Sequence, residues 1–304
     1  MTGYAHTTVM LQECVDALQP RDGGVYVDCT LGGGGHTQLL LDSADCRVIG
    51  IDRDSSALEA AAERIASDRL IPVHARFSEL PAVVERLGFD VVDGILADIG
   101  VSSHQIDTAE RGFSFRFSGP IDMRMDPSSG QPASELVNTL PANELANLIY
   151  EFGEDRLSRR IASAIVAGRP WTDTLELANT ISAAVPPQAR RARIHPATRT
   201  FQALRIAVNE ELTELQALLD ASVRLTRPGG RIAILSFHSL EDRMVKRYFA
   251  DQSGKTAPRD PWGHPIGPVH LKVLPARTPS PEDDNPRARS ARLRVAERLP
   301  WNAP

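Results

Sequence analysis

Cysteine is scarce: Cys14, Cys29 and Cys46 are the only three in 304 residues, and no two of them form a Cys-x-x-Cys pair. An odd count without that spacing excludes a disulfide framework, a zinc ribbon and an iron–sulfur site, and fits a reducing compartment. No apolar run approaches the ~20 residues that span a bilayer, so no membrane partner is expected. The first twenty residues are interrupted by His6, Gln12, Glu13 and Asp16. A secretory leader is therefore not expected, and a cytoplasmic location is. Aromatic residues make up only 5% of the chain, and 34 Lys and Arg stand against 39 Asp and Glu. With 42% hydrophobic residues, that charge excludes wholesale disorder and fibrous classes. The length allows about two domains. A net charge of −5 does not exclude nucleic acid, because binding depends on local patches.

What is present begins as an alternation of short β-rich runs and helical stretches, the pattern of a parallel α/β sheet. Strands are expected at 25–28, 48–52, 71–74 and 91–98, with an alanine-rich helix at 55–66. Beyond Asp98 the texture changes. Residues 105–133 are rich in glycine and proline, and helical patterns follow at 143–152, 157–167 and 175–185. Residues 105–199 therefore read as a helical insertion in a sheet domain made of 1–104 and 200–304. Residues 200–226 read as one long amphipathic helix stopped by Pro228-Gly229-Gly230. A strand at 231–237 and a helix at 240–249 follow. The stretch 251–268, with four prolines and three glycines, reads as a mobile surface loop. Residues 269–274 and 293–297 suit a closing antiparallel pair.

The segment Asp28-Cys29-Thr30-Leu31-Gly32-Gly33-Gly34-Gly35-His36-Thr37 follows a strand and opens a helix. Glycines there permit a tight turn and close backbone approach to a ligand. Asp52, 17 residues past Gly35, ends the next strand. A carboxylate in that place accepts both hydroxyls of an adenosine ribose, although Asp52 is equally suited to capping the helix near Ser55. The G-x-G-x-x-G of a dinucleotide site fails, since its third glycine is Thr37, and no Gly-Lys-Ser/Thr triphosphate loop exists. The pattern strand–Asp-x-Thr-x-Gly-x-Gly-Gly–helix instead resembles motif I of class I methyltransferases, which bind S-adenosylmethionine. Phe77, just after the third strand, suits either adenine stacking or core packing. Asp98 ends the fourth strand, where ligands of open α/β sheets sit.

Longer motifs recur in order. They are His6-Thr7-Thr8-Val9-Met10, Asp98-Ile99-Gly100-Val101-Ser102-Ser103-His104-Gln105, Glu110-Arg111-Gly112-Phe113-Ser114-Phe115, Asp122-Met123-Arg124-Met125-Asp126, a run from His195 to Ile206, Ser236-Phe237-His238-Ser239-Leu240-Glu241-Asp242-Arg243 and Asn285-Pro286-Arg287-Ala288-Arg289-Ser290. Over nearly its whole length the chain resembles the MraW family of bacterial 16S ribosomal RNA cytosine-N4 methyltransferases. That resemblance implies a Rossmann-like sheet, S-adenosylmethionine as cofactor, and the exocyclic amine of a cytidine in small-subunit RNA as acceptor. It carries cofactor contacts onto Gly34, Gly35, His36, Asp52, Phe77, Asp98 and Gln105. His104 stands where the resemblance implies proline, a departure expected to loosen the turn presenting Gln105.

The acceptor amine needs a hydrogen-bond acceptor, and Asp98 is the candidate, with Ser102, Ser103 and His238 as polar neighbours. No (Asp/Asn/Ser)-Pro-Pro-(Tyr/Phe) motif is present, so the acceptor arrangement of the DNA amino-methyltransferases does not transfer. All three cysteines precede the fourth strand, against carbon-5 chemistry. Arg190, Arg191, Arg193, Arg199 and Arg205 form one cluster without an intervening acid; Arg287, Arg289, Arg292, Arg294 and Arg298 form a second beside Glu297. Both suit phosphate, and both also suit a solvated, salt-bridged face. Phe113, Phe115 and Phe117 suit base stacking or packing. A methyltransferase for protein or small molecules and a non-catalytic RNA-binding module remain as rival readings. Oligomeric state stays open, a homodimer being one option.

Overall fold

The computed structural model describes residues 8–191, 193–280 and 288–300, with the backbone but not the side chain of Ser103. His6, Thr7, Asn285, Pro286 and Arg287 lie outside the described residues. The chain divides into two compact units, one running up to Gly100 and resuming at Thr213, the other Val101–Leu212.

The first unit is built on β1 (Val25–Asp28), β2 (Arg47–Asp52), β3 (Leu70–His74), β4 (Val92–Asp98), β5 (Thr226–Ser236), β6 (Leu271–Val273) and β7 (Arg292–Arg298). They form one sheet in the order β3-β2-β1-β4-β5-β7-β6. The first five strands pair in parallel, and β7 runs antiparallel to both neighbours. A mostly parallel sheet with helices on both faces is the α/β fold that the resemblance implies. The central strands read as unbroken apolar runs because helices cover both faces. On one face Leu80, Val83, Leu215, Leu218, Val245 and Phe249 pack against Ile49, Ile95 and Ile232. On the other, Val15, Leu18, Leu40, Ala61 and Ile65 pack against Tyr26, Val48 and Leu96. β1 pairs with both β2 and β4, so the strand order reverses there. The crevice at that switch point, outside the carboxyl ends of the strands, is where such sheets hold ligands.

The second unit is helical. Leu145, Ile149, Ile161, Ile165, Leu177, Phe201 and Leu204 share one core. The helix expected over 200–226 is two helices, Ala197–Asn209 and Glu211–Leu225. Glu210 between them adopts a left-handed conformation, with φ 52°. The buried Asn209 amide donates to Met123 O at 2.7 Å and accepts from Met125 N at 2.8 Å, holding the preceding loop. Phe201 and Leu204 serve the helical core, whereas Leu215 and Leu218 serve the sheet. Apolar periodicity continues across that one-residue break, so the pattern conceals it. Residues 200–212 consequently go with the helical unit, along with 101–104. The fifth strand starts at Thr226 rather than 231, running through Pro228-Gly229-Gly230 with a register shift opposite Val92 and Gly94. The 271–273 and 292–298 strands pair antiparallel as expected. Among the described residues no helix is long and apolar enough to cross a membrane.

Candidate active site at the carboxyl edge of the sheet

β1 delivers Asp28 to the switch point, where its side chain is buried at 1% exposure. Its Oδ2 accepts from the Thr37 hydroxyl at 2.8 Å, and its Oδ1 accepts from Thr30 N at 3.1 Å and the Thr30 hydroxyl at 3.4 Å. Thr30 Oγ1 in turn accepts from Asp98 N at 2.7 Å. One carboxylate thus ties the end of β1, the glycine loop, the start of the helix Gly35–Ser43 and the end of β4. Sequence reasoning overlooked this brace. The available signal was Thr37, a hydroxyl standing where a dinucleotide loop needs glycine.

Within the loop, Gly34 has φ 75° and precedes the helix. A Cβ at Gly34 would lie 2.7 Å from Ile65 Cδ1, and one at Gly35 would lie 2.1 Å from Thr8 Oγ1. These glycines are therefore demanded already by the chain's own packing. His36, the next residue, is buried, with Nδ1 3.9 Å from Asp98 Oδ2.

Asp52 ends β2. Its Oδ2 accepts from Gly32 N at 2.8 Å and its Oδ1 from Asp54 N at 2.9 Å. The helix Ser55–Ile65 is capped by Asp54, which accepts from Ser56 N, so Asp52 is not its cap. Burial pushes the Asp52 carboxyl up to about 6, against the lowering effect of the two N–H donors. A carboxylate offers about four lone-pair directions. Two are used here, which leaves room for a pair of hydroxyl donors. Phe77 follows β3 in the turn Phe77–Glu79, half-buried against the sheet core. The buried Glu214 holds that turn, accepting from Ser78 N at 2.9 Å and the Ser78 hydroxyl at 3.0 Å. Glu214 was another residue the sequence reading missed, since it lies 136 positions from Ser78.

Asp98 ends β4 with its side chain one-fifth exposed. Burial, followed by the charges of Asp28 and Glu241, pushes its carboxyl up to about 8. Glu241 is itself buried and accepts from Phe237 N at 3.0 Å and His238 N at 3.3 Å. His238 caps the helix Ser239–Gln252, and its Nε2 lies 2.9 Å from Glu241 Oε1. Burial raises the thiols of Cys14 and Cys29 well above their ordinary value, the reverse of what a nucleophile requires.

Ser102 and Gln105 belong to the helical unit. There Ser102 Oγ accepts from Gln105 N at 3.2 Å and Gln105 Oε1 accepts from Ser102 N at 3.1 Å. This reciprocal cap opens the helix Ser103–Asp107, so the turn is held despite His104. Gln105 is thereby employed in capping its own helix.

Several of the cluster arginines are engaged by the protein itself. Arg190 donates to Val185 O at 3.1 Å and Ala183 O at 3.0 Å, closing the helix Thr174–Ala184. Arg199 donates to Glu154 O at 3.3 Å. Arg205 pairs with Glu211 through two bonds of 2.8 Å. Arg294 pairs with Asp242 at 2.7 and 3.0 Å, and the buried Arg298 donates to Val223 O and His270 O. Counting charges along a chain does not reveal which guanidinium groups face carbonyls and carboxylates. Arg191, Arg193 and Arg289 are exposed, as are Arg190, Arg199 and Arg292, whereas Arg287 lies outside the described residues. Phe113 and Phe115 pack on the helical core, Phe115 edge-on to Phe201 at 4.8 Å, while Phe117 is 62% exposed.

Comparison with known proteins extends over both units. A sequence model described as the MraW methylase family matches residues 3–299. The ribosomal RNA small subunit methyltransferase H of Geobacter sulfurreducens is 51% identical over 309 residues, covering 97% of this chain and 99% of its own. The protein of the same name from Carboxydothermus hydrogenoformans is 48% identical over 97% of this chain and 98% of its own. That of Magnetococcus marinus is 49% identical over 97% and 99%. Agreement of this depth, spanning the sheet and the helical insertion alike, makes the chain a member of the MraW methylase family.

Proposed function

We propose that the chain transfers a methyl group from S-adenosylmethionine to the exocyclic N4 amine of a cytidine in 16S ribosomal RNA, within the small ribosomal subunit and in the cytoplasm. The observation that carries this reading is the pair of desolvated carboxyls, Asp52 and Asp98, ending β2 and β4 on either side of β1 and its glycine loop. The names of the 48–51% identical relatives support small-subunit ribosomal RNA as the substrate.

The residues present fit the cofactor. Asp52 has lone pairs left for two ribose hydroxyls, Phe77 offers a ring beside the third strand, and Gly34, Gly35 and His36 stand where the loop after β1 enters its helix. When bound, S-adenosylmethionine supplies an electrophilic methyl group on a positively charged sulfur. Transfer from it is an in-line displacement, so holding the two reactants in line accounts for much of the rate.

Asp98 does the acceptor's work. The lone pair of the cytidine amine is delocalised into its ring. A carboxylate that accepts a hydrogen bond from the amine helps the nitrogen pyramidalise and afterwards shed its proton. A protonated carboxyl still accepts a hydrogen bond, but only the ionised form of Asp98 can take up the proton, and burial with Asp28 and Glu241 opposes that form. A cation in the crevice favours it. The brace from Asp28 through Thr30 to Asp98 N fixes where the carboxylate stands.

The helical unit serves substrate recognition in this reading, with the exposed Arg191 and Arg193 meeting phosphate. Gln105 and Ser102 act through the helix they cap, and His238 through its cap and Glu241. The test is methyl transfer to small subunits followed by mass analysis of nucleosides. N4-methylcytidine is the expected product; another methylated nucleoside, or methylated protein, would overturn the assignment.

A further inference from the structure

Trp262 is 82% exposed, whereas Trp171 is 7% exposed. It stands at the tip of the stretch that sequence reading takes for a mobile loop, and the structure gives that stretch a definite hydrogen-bonded form. Residues 258–266 fold into a small hairpin with an antiparallel bridge between Arg259 and Pro265. Asp260 organises the tip. Its Oδ1 accepts from Trp262 N at 2.9 Å and His264 N at 2.8 Å, while Asp260 N donates to His264 O at 2.9 Å. Gly263 N donates to Asp260 O at 3.0 Å and Ile266 N to Pro258 O at 2.8 Å. Arg259 Nη1 crosses the tip to Gly263 O at 3.1 Å. Pro258, Pro261 and Pro265 restrict φ at three further points.

The base is equally fastened. Gly254, at φ 68°, has no room for a side chain, since a Cβ would lie 2.9 Å from Pro265 Cβ and 3.0 Å from Val269 Cγ2. His270 N donates to Gln252 O at 2.8 Å, joining the far side of the loop to the end of the helix Ser239–Gln252. An indole left in water on an ordered mount makes an anchor that loses little conformational freedom on binding.

Charge points to the partner. Within 251–268 two exposed cations, Lys255 and Arg259, flank the exposed Trp262, whereas the two acids there are engaged locally, Asp251 by the Thr256 hydroxyl and Asp260 by Trp262 N and His264 N. An aromatic ring among cations on an otherwise acidic protein is the combination that holds unpaired nucleotides, stacking on the base and neutralising the backbone. The 14-residue helix between the carboxyl edge and the hairpin is about 21 Å long, which sets Trp262 far from the reacting base.

We propose that residues 258–266 form a stacking finger for the RNA acceptor. Trp262 lies on an unpaired base remote from the methylated one, and Lys255 and Arg259 meet the flanking phosphates. The inference rests on the RNA reading above and adds a second contact to it. The finger acts on affinity and not on the transfer step.

Binding of small ribosomal subunits to the full-length protein tests it. Trp262→Ala is expected to weaken binding about 5- to 150-fold, the range for loss of one base–aromatic stack. Trp262→Phe keeps most of the affinity. In both variants cofactor affinity, thermal midpoint and kcat stay at the wild-type value, and the loss shows in KM. Ultraviolet crosslinking is expected to join the 258–266 peptide to a nucleotide. Equal affinity of Trp262→Ala and wild type would overturn the proposal, as would a crosslink that maps to a ribosomal protein. Methyl transfer by the wild type to the same subunits reads the function separately, so the two ideas can fail independently.

Discussion

The carboxyl edge of the sheet and the helical unit use their polar groups in opposite ways. At the carboxyl edge of the sheet, Asp52 and Asp98 are desolvated and pushed up to about 6 and about 8, with oxygen lone pairs to spare. In the helical unit, the buried Asn209 and the half-buried Arg205 are committed to carbonyls, an amide and a carboxylate of the same unit. An incompletely matched buried acid raises the free energy of the free protein and awaits a ligand. A matched one stabilises the fold and binds nothing further. The contrast separates chemistry from scaffold more sharply than residue type does, since both units are rich in charge.

The largest effect is expected at Asp98. Asp98→Asn retains the shape and loses the ionisable acceptor, so the maximal rate at saturating cofactor and RNA should fall roughly 100- to 10,000-fold. Single-turnover methylation of small subunits measures this. Full recovery at saturation would leave Asp98 a binding residue only. Next comes the scaffold. Ile149→Ala, at a fully buried site of the helical core, should cost about 2–5 kcal/mol of stability by denaturant titration. Cofactor affinity in the folded protein should not change, and a parallel loss would blur the division between units.

Asp52→Ala is expected to weaken S-adenosylmethionine by about 1.5–3 kcal/mol, the scale of charge-assisted hydrogen bonds. Calorimetric titration reads it directly, and wild-type affinity would remove Asp52 from the site. The same desolvation predicts a pH signature. A carboxyl whose pKa is raised on folding binds its proton more tightly in the folded state, so the stability Asp98 contributes is full below the unfolded value near 4 and is lost as pH rises towards 8. Asp98→Asn removes that decline. Its stability relative to wild type should therefore increase between pH 6 and pH 9, and parallel urea curves at the two pH values would contradict the assignment. The smallest effect belongs to the exposed arginines. Charge reversal at Arg191 and Arg193 should flatten the salt dependence of RNA binding by roughly 0.7–0.9 in logarithmic slope for each phosphate no longer neutralised. Arg205→Ala should instead lower stability and leave that slope unchanged.

Much of the sheet was legible because its signals are local. Val25–Asp28 and Leu70–His74 are short β-rich runs bounded by turns, and a buried parallel strand carries its apolar pattern within itself. Asp52 and Asp98 were visible for the same reason, each being an acid at the end of such a run. The break at Glu210 was not legible, because one left-handed residue leaves amphipathic periodicity undisturbed. Nor was the fate of the arginines. Whether Arg294 meets phosphate or Asp242 depends on a strand and a helix 52 residues apart coming together.

The amino-acid sequence by itself determined the alternation of strand and helix, the glycine loop with its paired acids, and membership in a family whose motifs run in order along the chain. These depend on spacing, and spacing is covalent. Tertiary structure alone decided that Asp28 braces Thr30, Thr37 and Asp98, that Glu214 holds the Phe77 turn, and that Asp98 is pushed up to about 8. It also decided that an apparently mobile loop holds Trp262 on a hydrogen-bonded mount. Hydrogen-bond partners, desolvation and charge–charge distances arise between segments far apart in the chain, so they exist only once the sheet has brought those segments together.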